Sequence, residues 1–68
     1  MNEEKELRLA NFEKMMAAVE KSYDDTVAQM EKLKAAGKVK SATYRQLMGN
    51  KLMYQSMLSM YREHGLIE

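Results

Sequence analysis

The fold of this chain of 68 residues is decided by residues 9–37, LANFEKMMAAVEKSYDDTVAQMEKLKAAG. Side chains that can pack between helices recur there at alternating intervals of three and four residues, namely Leu9, Phe12, Met16, Val19, Tyr23, Thr26, Met30 and Leu33. This heptad spacing predicts an amphipathic helix of coiled-coil type whose seam lies against another helix. Gly37 ends the pattern, because glycine suits the position just past a helix C-terminus where φ is positive.

The first helix is expected to run from about residue 4 to residue 36. Acidic residues in its first turn, and Lys32 and Lys34 near its end, complement the helix dipole. The segment Ser22-Tyr23-Asp24-Asp25 contains three residues that favour helix N-caps, so a break there is the alternative. The heptad spacing keeps its phase across this segment, which favours one unbroken helix.

A second helix is expected from about residue 42 to residue 64, after a short connection through Val39. Either Ser41 or Thr43 can cap its N-terminus, and Thr43 has Gln46 three residues on, the spacing of a capping box. A connection this short places consecutive helices side by side and antiparallel.

The second helix is expected to end at Gly65 in a Schellman motif, with Leu66 packing back on Tyr61. Gly49 lies inside this helix, where glycine costs about 1 kcal/mol relative to alanine. A close crossing with another helix would account for Gly49, and a local kink is the alternative.

The apolar face of the second helix is broader than one neighbouring helix can cover. The second helix is also shorter than the first, so we expect Leu7, Leu9 and Phe12 to remain uncovered in the hairpin. Both features predict an all-α antiparallel helical hairpin, a single domain over residues 1–68, that dimerises into a four-helix bundle. Residues expected in the core or dimer interface are Leu9, Phe12, Met16, Val19, Tyr23, Met30, Leu33, Tyr44, Leu47, Tyr54, Met57, Leu58 and Tyr61.

Methionine makes up an unusual share of the apolar surface, with eight residues in 68. Because methionine is flexible and polarisable, it fills irregular cores and also lines grooves that adapt to a partner. Ordinary core packing is the favoured interpretation. Under the alternative, Met48, Met53 and Met60 form an adaptable groove.

Charge is segregated along the chain although the net charge is only +1. Residues 1–31 carry eight acidic and four basic side chains, whereas residues 32–51 carry six basic side chains and no acid. These six are Lys32, Lys34, Lys38, Lys40, Arg45 and Lys51. They are interpreted as solvated helix ends, as phosphate contacts in a loose helix-turn-helix, or as contacts to an acidic protein such as a second copy.

The composition argues against catalysis, metals and membranes. The chain has no cysteine, and its one histidine, His64, falls at a helix end rather than beside a second catalytic group. We expect no cofactor, no signal peptide, no membrane span and a cytoplasmic location. The predicted function is that of a small non-catalytic interaction or regulatory protein of bacterial or phage type, acting as a homodimer on an unidentified protein partner. The alternative is a DNA-binding regulator that uses residues 32–51.

Overall fold

The computed structural model describes residues 2–67 and contains two α-helices in that range. Helix α1 spans Asn2–Ala35 and helix α2 spans Ala42–Glu63. The helices pack against each other along an elongated body of 53 × 19 × 18 Å. The predicted helical hairpin is therefore confirmed, with helix ends within one or two residues of those expected.

Helix α1 is continuous through residues 22–25, as the unbroken heptad spacing predicted. Lys21 and Asp25 lie one turn apart on its surface, with Nζ and Oδ2 separated by 3.9 Å. Thr26, the next member of the seam, is buried. Burial on the inner side outweighs the tendency of serine and aspartate to start a new helix.

Both helices end in the predicted Schellman motif. Gly37 and Gly65 have φ of 72°, in the left-handed region where a Cβ would be penalised. After α1, Lys38 N–H donates to the Leu33 carbonyl and Gly37 N–H donates to the Lys34 carbonyl. Equivalent bonds after α2 run from Leu66 N–H to Tyr61 and from Gly65 N–H to Arg62.

Ser41 is the N-cap of α2. Its hydroxyl oxygen accepts a hydrogen bond from Tyr44 N–H at 3.1 Å, and the hydroxyl donates to the Lys38 carbonyl at 2.8 Å. The alternative capping box at Thr43 is wrong, because Thr43 already lies inside the helix. Ser41 thus closes the turn and starts the helix with the same side chain.

The core is small and lies along α1. Val19, Thr26 and Met30 are the buried residues of the described range, and α2 contributes none that is fully buried. Half-buried side chains from both helices surround them. A hairpin of two helices has only one internal interface, so most side chains in it remain partly exposed.

Gly49 does not mark a close crossing or a kink within the hairpin. Helix α2 is continuous through it, and a Cβ added to Gly49 would meet nothing within 4 Å beyond its chain neighbours and the nearby backbone of its own helix. The predicted close crossing is therefore not made with α1, because Gly49 lies on the exposed side of α2, and a crossing with a helix of another chain stays a prediction.

Candidate interaction surfaces

Twelve of the thirteen residues expected in the core or dimer interface are buried or half-buried between the two helices. They are Phe12, Met16, Val19, Tyr23, Met30, Leu33, Tyr44, Leu47, Tyr54, Met57, Leu58 and Tyr61. The exception is Leu9, which is 56% exposed because α2 ends before reaching it. The heptad seam of α1 is thus used mainly inside the chain.

Two side-chain contacts join α2 to α1 and show how the helices pack. The rings of Phe12 and Tyr61 meet edge to face, and Gln55 Nε2 donates to the Tyr23 hydroxyl at 3.3 Å. Phe12 is therefore half-buried rather than uncovered, which corrects the expectation from helix lengths. The aromatic ring of Tyr61 is long enough to reach it from the last turn of α2.

Residues 2–11 of α1 extend beyond the end of α2, and we call this segment the overhang. At a rise of about 1.5 Å per residue it is about 15 Å long. Leu7 and Leu9 lie in it and are both exposed. The overhang also holds three glutamates, at positions 3, 4 and 6.

The outward side of α2 carries large exposed apolar side chains. Leu52, Met53 and Met60 are 55%, 50% and 57% exposed, respectively. Leu52 and Met60 line a shallow groove together with Ser56, Ser59 and polar neighbours. Met48, the third methionine of the predicted adaptable groove, is half-buried and does not lie in this groove.

Five of the six basic residues of positions 32–51 lie near the turn end of the hairpin, whereas Lys51 lies near the middle of α2. Lys32, Lys34, Lys38, Lys40 and Arg45 are exposed, and Lys51 is half-buried. Between residues 2 and 67, none of these six forms an ion pair with an acidic side chain. Their charge is therefore available to a partner of opposite sign.

The basic turn does not have helix-turn-helix geometry. The two helices of that motif cross at about 90–120°. Helix α2 is about 33 Å long, and a body 19 Å across leaves it no room to lie across α1. The predicted likeness to this motif is wrong, since the short turn folds α2 back along α1.

Over the described residues, the one histidine lies at a helix end and metal-ligating side chains do not cluster. His64 is an exposed residue at the C-cap of α2, where its backbone N–H donates to the carbonyls of Arg62 and Met60. Over residues 2–67 no three side chains of His, Asp or Glu come together as they would around a metal ion. Neither described helix combines the length and apolar character needed to cross a bilayer.

Sequence reasoning missed one contact at the C-terminal end. Ile67 is half-buried and lines a depression with Tyr23, Leu58 and polar residues of both helices. The reversal of the chain at Gly65 carries Ile67 back toward the helices. The position of Ile67, an apolar residue two positions after the helix-ending Gly65, was the sequence signal for this contact.

Comparison with known protein families, curated proteins and solved structures yields no match to this chain. The interaction surfaces are therefore interpreted from their own chemistry. They comprise the outward side of α2, the overhang and the basic turn.

Proposed function

We propose that this chain is a small non-catalytic interaction protein that associates with a second copy of itself to form a four-helix assembly. The observation that carries the proposal is the small core. Only Val19, Thr26 and Met30 are buried in the described range, while eight large apolar side chains remain more than 40% exposed.

The exposed area supports association. A compact protein of 7.9 kDa exposes about 4,400 Å², whereas this hairpin exposes 5602 Å². The difference is about 1,200 Å² per chain, and a stable protein interface needs about 800 Å² per partner. A chain of this size without disulfides gains stability most directly by burying apolar surface in an oligomer.

Light scattering and sedimentation at micromolar concentration test the proposal. We expect a particle of twice the chain mass, with helicity and midpoint of unfolding that fall on dilution. A monomer that keeps full helicity at every concentration would contradict it.

Regulation of another macromolecule is the second part of the proposal. The dimer would present two basic turns and two overhangs, the latter with exposed Leu7 and Leu9. Affinity capture with the wild-type chain, compared with Lys38→Glu/Lys40→Glu, tests whether the basic turn selects a partner. Loss of a partner from the variant, with unchanged dimer mass, is the expected result.

The alternative proposal is DNA binding by the same turn. The six basic side chains without acidic partners within residues 2–67 favour it, because lysine and arginine neutralise phosphates and release counterions. Titration of a labelled duplex at 50 and 200 mM salt tests it. Strong binding that weakens at the higher salt and disappears in Lys38→Glu/Lys40→Glu would support DNA binding, and no binding at 50 mM would exclude it.

A further inference from the structure

A second heptad series runs along α2 on the side turned away from α1. Its members alternate in spacing by four and three residues, and every one is exposed. They are Arg45, Gly49, Leu52, Ser56, Ser59 and Glu63. We call this series the outer seam. None of its positions overlaps the half-buried side chains through which α2 contacts α1.

The spacing of the outer seam is the same in both directions, four-three-four-three-four. Two copies of such a series can pack antiparallel, so that each seam residue of one helix faces a seam residue of the other helix. When the two-fold axis passes at the level of residue 54, all six positions are paired across the interface. Position 45 lies opposite 63, position 49 opposite 59, and position 52 opposite 56. Every stripe at heptad spacing on a helix has this property, so the choice of this one rests on its exposure and on its side chains.

The two ends of the outer seam carry opposite charges. Arg45 and Glu63 are 18 residues apart, which is five helical turns, so they lie on one line about 27 Å apart. Within residues 2–67 neither side chain takes part in an ion pair. In the antiparallel arrangement Arg45 lies level with Glu63 of the partner subunit, and the symmetry produces this pair twice.

In the middle of the outer seam, the facing side chains of the two helices are complementary in size. Leu52 falls opposite the partner's Ser56, so a large apolar side chain meets a small one. Gly49 falls opposite the partner's Ser59, where two small residues let the helices approach closely. Glycine weakens a helix, and the hairpin gives no reason for it at position 49, since a Cβ there meets nothing inside the hairpin. A close approach of the partner helix would provide that reason.

We propose that the outer seam is the two-fold interface of the homodimer, with α2 packed antiparallel against α2 of the partner subunit. The inference rests on the proposed self-association and names its surface and direction. Met53 and Met60 flank the seam and would be covered with it. The same direction brings each basic turn level with the partner's overhang, where three glutamates are largely balanced by Lys5 and Arg8.

Disulfide cross-linking tests this arrangement directly, because the chain has no cysteine of its own. Arg45→Cys and Glu63→Cys are prepared separately, with tags of different size, and oxidised alone and as a mixture. We expect a mixed disulfide between the two variants and little disulfide in either alone, since a disulfide requires Cα atoms within about 7 Å. Ala17→Cys, exposed on α1, sets the level of random cross-linking.

The outcomes separate the inference from the proposal on which it rests. Self-disulfides of Arg45→Cys and Glu63→Cys would mean parallel helices and would overturn the inference. Dimer mass by light scattering without a mixed disulfide would overturn the outer seam and leave self-association standing. A monomer that instead binds another protein through the Leu52 side of α2 would overturn both.

A charge exchange provides an independent measurement. Arg45→Glu and Glu63→Arg should each weaken the dimer about tenfold, because each variant replaces two attractive pairs by two repulsive ones. The double variant Arg45→Glu/Glu63→Arg should restore the wild-type dissociation constant. A double variant that dissociates as readily as either single variant would overturn the pairing.

Discussion

The ring of Phe12 packs edge to face against the ring of Tyr61, with centroids 5.4 Å apart and planes inclined by 77°. This contact lies where the last turn of α2 meets α1, and the overhang begins beyond it. An edge-to-face pair of this geometry adds about 0.5–1.5 kcal/mol to the burial of the two rings. It therefore marks the end of the hairpin core.

Tyr61→Ala should destabilise the hairpin by about 2 kcal/mol. A fully buried aromatic ring costs about 3–5 kcal/mol when replaced by alanine, and Tyr61 is half-buried. Tyr61→Phe keeps the ring and should change the free energy of unfolding by less than about 0.5 kcal/mol. Urea denaturation at one fixed protein concentration measures the free energy of unfolding of both variants. An equal loss of stability in Tyr61→Ala and Tyr61→Phe would show that the ring contact does not contribute to stability.

Ser41→Ala should destabilise α2 by about 1 kcal/mol, because the Tyr44 N–H loses its acceptor. Thr43→Ala is the matched control, with an expected effect below about 0.5 kcal/mol, since Thr43 is exposed inside the first turn. Thermal unfolding followed by circular dichroism measures both, and 1 kcal/mol corresponds to a midpoint shift of about 4–8 °C in a domain of this size. A larger loss in Thr43→Ala than in Ser41→Ala would place the cap at Thr43.

Met30→Ala and Met60→Ala distinguish the two sides of the molecule. Met30 is 5% exposed, so its truncation should cost about 2–3 kcal/mol of folding free energy. Met60 is exposed in the hairpin, so its truncation should leave folding of the monomer within about 0.5 kcal/mol of wild type. Chemical unfolding below the concentration of dimer formation is the measurement. A large loss in Met60→Ala under those conditions would mean that this side chain is covered within one chain.

Gly49→Ala should act in opposite directions on folding and on association. The added methyl group meets nothing inside the hairpin, so the helix should gain about 1 kcal/mol. Across the outer seam the same methyl group would hold the partner helix away and weaken the dimer. Unfolding at low concentration and sedimentation at micromolar concentration measure the two effects. Unchanged association would contradict a close crossing at Gly49.

The helices and their ends could be predicted because their causes are local. A heptad spacing over residues 9–33, a glycine at position 37 and a capping serine at position 41 each act within one or two turns. The sequence left open whether Ser41 or Thr43 is the N-cap of α2, because serine and threonine cap helices with similar strength. Hydrogen bonding of the turn decided it, since the Ser41 hydroxyl also reaches the Lys38 carbonyl.

The uncovered surfaces could be predicted only in part. Helix lengths indicated that Leu7 and Leu9 would be exposed, and they are. Phe12 was expected to share that exposure, but the reach of Tyr61 covers it. Gly49 predicted a close crossing with a helix that the sequence could not name, and the structure shows that this helix is not α1.

The sequence by itself determined two helices, their boundaries and the seam through which α1 takes a partner, because periodicity and caps are encoded in consecutive residues. The short connection after Gly37 also predicted that α2 of the same chain occupies the seam, so only the rotation of α2 was left for the tertiary structure to decide. The rotation of α2 about its own axis is fixed by its contacts with α1, including the Phe12–Tyr61 ring pair and the Gln55–Tyr23 hydrogen bond. That rotation leaves Leu52, Met53 and Met60 facing outward, and this is the physical reason that large apolar side chains of α2 remain exposed.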